Sequence, residues 1–103
     1  MQEVSLEDTV TIGQDVVFRE LAGEAVILNL ETSIYFGLDE VGTRIWNLIK
    51  QHGSLQKVFQ IMQEEYDVAP EVLERDLLHL VGQLCAKGLV SVSLLQRENV
   101  ADL

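Results

Sequence analysis

The residue types best suited to metal binding or nucleophilic chemistry are two histidines, His52 and His79, and a single cysteine, Cys85. A zinc site needs several His or Cys ligands at short spacings, and neither histidine has such a partner. A nucleophilic cysteine needs a base beside it, and the sequence shows none for Cys85. That cysteine falls on the apolar side of a predicted helix, where a cysteine is typically a small buried hydrophobe. We therefore predict no metal site, no cofactor and no catalytic residue.

The carboxylates and glycines point the same way. Five carboxylates fall on predicted solvated helix faces: Glu64, Glu65, Glu71, Glu74 and Asp76. Two acid–base pairs, Glu40 with Arg44 and Glu71 with Arg75, are spaced for intrahelical ion pairs. The seven glycines are scattered singly, so the sequence contains no glycine-rich loop of the kind that holds phosphates. We predict that the protein is not an enzyme.

Size and charge restrict the partners. A chain of 103 residues fits one domain. Seven basic residues against seventeen acidic ones give a net charge of −10, which argues against nucleic acids and anionic membranes as partners. No run approaches the roughly 18 apolar residues of a membrane span. The first residues include Glu3, Glu7 and Asp8 instead of the basic start of a signal peptide, so we expect a cytoplasmic protein.

Local patterns predict an α+β domain over residues 10–93, with a flexible N-terminus over 1–9 and a tail over 94–103. β-Branched and aromatic runs separated by turn residues predict strands. Helix starts are indicated at Asp39, Ser54 and Pro70, and helix ends at Gly53 and Gly88. The predicted strands are Val10–Ile12, Val16–Leu21, Ala25–Leu30, Ile34–Leu38 and Leu89–Val92, of which the second, third and fourth form a meander.

The register of the Ala25–Leu38 hairpin is predicted from its apolar residues. A three-residue turn with Ser33 in the left-handed region places Leu30 opposite Ile34. That register puts six apolar side chains on one buried face, whereas a slip by one residue would mix them with polar ones. The six are Val26, Leu28, Leu30, Ile34, Phe36 and Leu38.

The third predicted helix has an apolar face that is wider than core packing requires. Its central stripe is Leu73, Leu77, Leu80 and Leu84, and Leu78, Val81 and Cys85 extend it to one flank. The flank can be core in a small helical bundle, or it can border an open groove.

The strand Ile34–Leu38 is the last of the meander and is predicted to be an edge. Edges are normally protected by charge or proline, and residues 33–37 contain neither. An extended peptide could add to this edge as a further strand. Alternatively, the N-terminal segment or a second copy in a homodimer covers it. A winged-helix DNA-binding regulator is a further alternative, although acidic residues surround the third helix.

The ordered segments resemble the PqqD-like family of peptide chaperones, also called precursor-peptide recognition elements, over about residues 10–92. The resemblance is carried by AVILNLETSIYFGLDEVGTRIW at 25–46, EYDV at 65–68, DL at 76–77 and KGLV at 87–90. It implies a winged helix-turn-helix-like fold in which a three-stranded antiparallel N-terminal sheet precedes three helices and a short C-terminal strand. The NLET and YFGLDEVG segments look closer to the lasso-type branch than to the pyrroloquinoline quinone branch.

The resemblance also implies a function. Family members bind the leader of a ribosomally made precursor peptide, which adds to the third strand of the meander and lies in a groove beside the third helix. They present it to a radical SAM enzyme, a leader peptidase or another maturation enzyme. Carried onto this sequence, the peptide-binding residues are Ser33, Ile34, Tyr35, Phe36, Leu73, Asp76, Leu77, Leu80, Val81 and Leu84, with Asp76, Leu77, Leu80 and Val81 facing the groove.

Overall fold

The structure, a computed structural model, describes residues 4–93 and contains two small antiparallel sheets and three helices. Its elements in chain order are β1 (Thr9–Ile12), β2 (Val16–Leu21), β3 (Glu24–Asn29), β4 (Tyr35–Leu38), α1 (Glu40–His52), α2 (Leu55–Glu65), α3 (Pro70–Ala86) and β5 (Val90–Ser93). The predicted α+β class is confirmed. Residues 1–3 and the predicted tail over 94–103 lie outside the described residues.

The helices begin and end where local signals predict. Asp39 caps α1, since its Oδ1 accepts a hydrogen bond of 2.8 Å from the Gly42 amide. Gly53, with a φ of 75°, ends that helix, and Ser54 caps α2 by accepting from the Lys57 amide. Pro70 stands in the first turn of α3.

The strands form two sheets. The predicted meander is present as β2–β3–β4, whereas β1 pairs with β5, so that Val10 lies opposite Val92 and Ile12 opposite Val90. Ahead of β1, residues 5–8 form a hydrogen-bonded turn in the segment expected to be flexible. Its Asp8 is buried, and the Asp8 carbonyl accepts a hydrogen bond from the Leu55 amide at the start of α2.

The predicted register of the β3–β4 hairpin is wrong by one residue. Ala25 lies opposite Leu38 and Ile27 opposite Phe36, so Val26, Leu30 and Ile34 are exposed instead of buried. The loop has four residues, 30–33, instead of three. The Asn29 amide donates a hydrogen bond to the Ile34 carbonyl, and the Asn29 carbonyl accepts one from the Ser33 amide. Ser33 does adopt the left-handed conformation, with a φ of 65°.

Asn29 is the physical reason for this register. Its side chain is buried, and its Oδ1 accepts hydrogen bonds from the amides of Glu31 and Thr32 at 2.8 and 3.2 Å. Its Nδ2 donates to the Gly88 carbonyl at 3.0 Å. A buried amide with all these partners costs little, so the core face of β3 can accommodate a polar residue.

One core joins the inner face of the sheet to the three helices. Its largest fully buried side chains include Trp46, Ile27, Leu48, Leu55, Met62 and Leu77. On α3 the buried stripe is Leu73, Leu77, Val81 and Leu84, whereas Leu80 is half-buried at the side.

Across residues 4–93, no helix is both long enough and apolar enough to cross a membrane.

The two arginines expected in intrahelical ion pairs, Arg44 and Arg75, have other partners. Arg44 pairs with Glu65 of α2, and Arg75 contacts Asp76.

Candidate functional site

The outer strand β4 offers an unpaired backbone edge. Within the described part of the chain, β4 pairs with β3 on one side and with no strand on the other. The Asn29 amide donates to the Ile34 carbonyl, so Ile34 faces β3. Because the hydrogen bonds of an antiparallel pair alternate along a strand, Phe36 and Leu38 also face β3, while the N–H and C=O groups of Tyr35 and Gly37 face away.

A groove runs along this edge and is bounded by β4, the start of α1 and one flank of α3. Its volume is about 540 Å³. The apolar side chains that line it are Phe36, Leu38, Val41, Ile45 and Leu80. A peptide strand beside β4 would therefore meet main-chain hydrogen-bonding groups and an apolar wall together.

Charged groups stand along the rim of the groove. Asp39 and Asp76 contribute carboxylates, of which Asp76 contacts the Arg75 Nε at 3.5 Å. Lys87 lies beyond them, with its Nζ 6.0 Å from the centre of the Phe36 ring. The apolar wall is thus flanked by both signs of charge, with the carboxylates at the β4–α1 junction and along α3.

Helical geometry explains which residues of α3 reach the groove. Residues four apart lie on one face, so Asp76 and Leu80 share the flank turned to β4, and Lys87 follows about two turns later. The other flank, Leu78 and Cys85, is half-buried and does not line the groove.

The residues expected to bind a peptide fall into three groups. Ser33, Ile34 and Tyr35 are exposed on the hairpin, and Phe36, Asp76 and Leu80 line the groove. The remaining four are buried in the core and do not line the groove: Leu73, Leu77, Val81 and Leu84.

Sequence reasoning missed the contribution of α1. Val41 is 41% exposed and lines the groove with Asp39 and Ile45. The available signal was the absence of a linker between β4 and α1, since a helix that starts one residue after an edge strand must present its first turn beside that edge.

The groups considered for chemistry lie elsewhere. His52 and His79 are exposed and Cys85 is half-buried. In residues 4–93, no three His, Cys, Asp or Glu side chains are grouped so as to hold a metal ion. A hydrogen bond between Arg44 and Glu65 raises the pKa of the guanidinium and lowers the pKa of the carboxyl, and neither residue lines the groove.

Comparison with known proteins gives one family and two similar structures. Residues 24–90 match the family described as Coenzyme PQQ synthesis protein D (PqqD). The structure of TbiB1 in complex with the TbiA(beta) leader peptide is 36% identical, with a TM-score of 0.75, over 79% of this chain and 94% of that chain. Curated protein sequences give no match.

The second similar structure is lasso peptide synthetase B1 complexed with the leader peptide. It is 22% identical, with a TM-score of 0.72, over 81% of this chain and 98% of that chain, and at this identity it supports the fold alone. The family match covers β3, β4 and all three helices. The resemblance noted in the sequence is therefore confirmed, and this chain belongs to the PqqD family.

Proposed function

We propose that this protein binds the leader region of a ribosomally made precursor peptide by strand addition to β4. In this proposal it presents the peptide to a maturation enzyme and catalyses no step itself. The observation that carries the proposal is the unpaired backbone of Tyr35 and Gly37 along an apolar groove. Strand addition uses such an edge for affinity and the neighbouring pockets for specificity.

One comparison supports the choice of ligand. The TbiB1 structure, 36% identical to this chain, contains a leader peptide. The NLET and YFGLDEVG segments, which resemble the lasso-type branch, favour a leader of that kind. A ribosomally made leader is encountered in the cytoplasm, so that is where the proposal places this protein.

The peptide contacts follow from the positions of the side chains. The main-chain groups of Tyr35 and Gly37 pair with the leader, and Ser33 and Ile34 border the start of the added strand. Apolar leader side chains on the inner face contact Phe36, Val41 and Leu80. The buried core residues Leu73, Leu77, Val81 and Leu84 act indirectly, because they pack α3 onto the rest of the domain.

Presentation requires a second protein, which we propose to be a radical SAM enzyme, a leader peptidase or another maturation enzyme of the same pathway. Non-catalytic binding fits the groove, which is lined by apolar side chains and by two carboxylates with structural partners: Asp39 caps α1, and Asp76 contacts Arg75. The remaining exposed surfaces of the domain stay available to that enzyme.

The proposal is tested by titrating the protein with a synthetic leader of the precursor peptide encoded beside this gene. NMR shift changes are expected at residues 33–38, at the start of α1, and on the Asp76 and Leu80 flank of α3. Changes confined to other surfaces, or none at millimolar peptide, would refute the proposal. Sedimentation of the protein alone checks the homodimer alternative, which requires a mass that rises with concentration.

A proline at Tyr35 tests the backbone contact. Tyr35→Pro removes an outward N–H and puts a ring in the path of the added strand, so we expect leader affinity to fall by about tenfold or more. Two controls isolate the cause. Tyr35→Thr removes the same side chain but keeps the amide and should retain most of the affinity.

Glu20→Pro is the matched control on the opposite edge. The Leu30 amide donates to the Asp15 carbonyl, so the alternation along β2 turns the Glu20 backbone away from β3 as well. This variant should bind the leader as the unaltered protein does. Equal losses from Tyr35→Pro and Glu20→Pro would mean that a general disturbance of the sheet, and not the β4 edge, governs binding.

A further inference from the structure

The sheet face that points away from the core carries a second concavity, which we call the outer depression. It has a volume of about 620 Å³ and continues past the end of β4. Its apolar lining comes from Leu21 and Val26, which are 84% and 49% exposed, and its charged rim includes Arg19 and Glu24. Gly37, Leu38 and Asp39 line both the outer depression and the groove, so the two concavities meet at the end of the same edge strand.

Gly37 is what leaves the outer depression open. Arg19, Val26 and Gly37 lie in one row across the three strands, and their side-chain positions share the outer face. A Cβ built on Gly37 meets no atom within 4 Å, and the residue has no positive φ. The missing side chain is therefore neither a packing requirement nor a conformational one, and it gives access to Val26 from the edge.

The alternation of side chains along a strand connects the two concavities. In a peptide strand paired with β4, the residue opposite Gly37 must point to the outer face, while its two sequence neighbours point to the groove. This holds for either peptide direction, because paired residues in a sheet place their side chains on the same face. The side chain of the peptide residue paired with Gly37 therefore lies over the outer depression.

We propose that the outer depression is a second subsite, which binds one large apolar side chain of the leader at the residue paired with Gly37. The proposal rests on the proposed function, because strand addition to β4 fixes this register. Leu21 and Val26 supply an apolar surface. On the rim, the charge of Arg19 opposes that of Glu24, and the Asp39 carboxylate is already engaged in capping α1. The leader is thus recognised on both faces of the strand it forms.

The test is a double-mutant cycle on leader binding, with the synthetic leader of the precursor encoded beside this gene as the probe. Contacts from Gly37 in the NMR spectra of the complex identify the paired leader residue. Gly37→Val fills the outer depression with a strand-compatible side chain and should raise Kd about tenfold or more. Alanine at the paired leader residue should weaken binding to the unaltered protein by a similar factor, and should add little on Gly37→Val.

Gly82→Ala is the matched control, since Gly82 on α3 also has open space at its Cβ position but lines neither concavity. Its leader affinity should be unchanged. Thermal unfolding checks that Gly37→Val is folded. If it is not, Leu21→Ser replaces it at a highly exposed position, with an expected threefold or greater loss of affinity; unchanged affinity there overturns the proposal.

The outcomes separate the two proposals. No leader binding by the unaltered protein overturns both. Leader binding with shifts at Tyr35 and Gly37, but with Gly37→Val within twofold of the unaltered protein, overturns the second subsite alone. A concentration-dependent mass that Gly37→Val abolishes assigns the outer depression to a second copy of the chain and also overturns the subsite.

Discussion

The two outer strands of the three-stranded sheet, β2 and β4, present edges of different character. Beside β2, the Phe18 ring stacks on Trp46 with ring centres 6.3 Å apart, and the Lys50 Nζ lies 5.1 Å from the Phe18 centre. Arg19 and Glu20 add charge to the strand itself. Residues 33–38, in contrast, carry no charged side chain and no proline.

Charge on an edge strand hinders pairing with another chain, and its absence leaves the edge available. Since both strands belong to one sheet with one core, the difference does not arise from burial of the sheet as a whole. It arises from the charges on β2 itself and from what α1 places beside each edge. Trp46 and Lys50 lie beside β2, and the first turn with Val41 lies beside β4. The comparison therefore identifies β4 as the edge suited to a partner strand.

Truncation of Trp46, which packs against Phe18 of β2, should have the largest effect on stability. Trp46 is 1% exposed, and Trp46→Ala should lower the free energy of unfolding by about 3–5 kcal/mol, because it leaves a large cavity under Phe18. Urea unfolding followed by circular dichroism measures the change.

The matched variant on the other edge is Tyr35→Ala. Tyr35 is 71% exposed, so we expect a change within about 0.5 kcal/mol of the unaltered protein. A loss comparable to that of Trp46→Ala would show that Tyr35 is packed as Phe18 is, and the contrast between the two edges would not hold.

Disruption of the hairpin turn that precedes β4 should have the next largest effect on stability. Asn29→Ala removes the side-chain hydrogen bonds to the Gly88 carbonyl and to the Glu31 and Thr32 amides. It should lower the free energy of unfolding by about 2 kcal/mol. Leader affinity should fall as well, because the turn fixes where β4 begins. Urea unfolding and a leader titration at a temperature where the variant is folded measure both.

Thr32→Ala is the control within the same loop. It removes an exposed hydroxyl that accepts a hydrogen bond from the Ile34 amide at 3.3 Å, and should cost less than about 1 kcal/mol. Equal costs for the two variants would mean that the three hydrogen bonds of the Asn29 side chain contribute no more than the single one of Thr32.

Asn29 also shows how far the sequence could predict this fold. The caps at Asp39 and Ser54 and the helix ends at Gly53 and Gly88 depend on residues within a few positions, so local patterns located them. The register of β3 and β4 depends on a hydrogen bond from Asn29 to a carbonyl 59 residues away. A hydrophobic pattern carries no information about the Gly88 carbonyl. It therefore placed Asn29 on the face opposite the core, whereas the Asn29 side chain is buried.

The site was predictable to a similar extent. The edge strand and the Asp76 and Leu80 positions followed from the hairpin and the resemblance, and the structure places Asp76 and Leu80 on one groove wall. The contribution of Val41 and Ile45 depends on how α1 leaves β4, and the outer depression depends on the true register, which puts Gly37 beside Val26. The outer depression is a tertiary property that a single sequence does not contain, whereas the missing linker between β4 and α1 did point to the first turn of α1.

The smallest expected effect concerns the Arg44–Glu65 pair, which joins α1 to α2 away from both edges. The Arg44 Nε donates to the Glu65 Oε1 at 2.9 Å, and this hydrogen bond lowers the pKa of the carboxyl in the folded state. A lowered folded-state pKa means that the pair stabilises the protein above the ordinary pKa of a glutamate. That contribution is lost as the pH falls through the lowered value.

Glu65→Gln should therefore reduce stability slightly near neutral pH, and the difference from the unaltered protein should disappear in acid. The raised pKa of Arg44 keeps the guanidinium charged throughout, so Glu65 alone sets the dependence. Thermal unfolding from neutral to acidic pH measures it, and a difference that grows in acid would contradict the assignment. Leader affinity should be unchanged at neutral pH, because the binding edge depends on what α1 places beside β4 and not on how α1 is tied to α2.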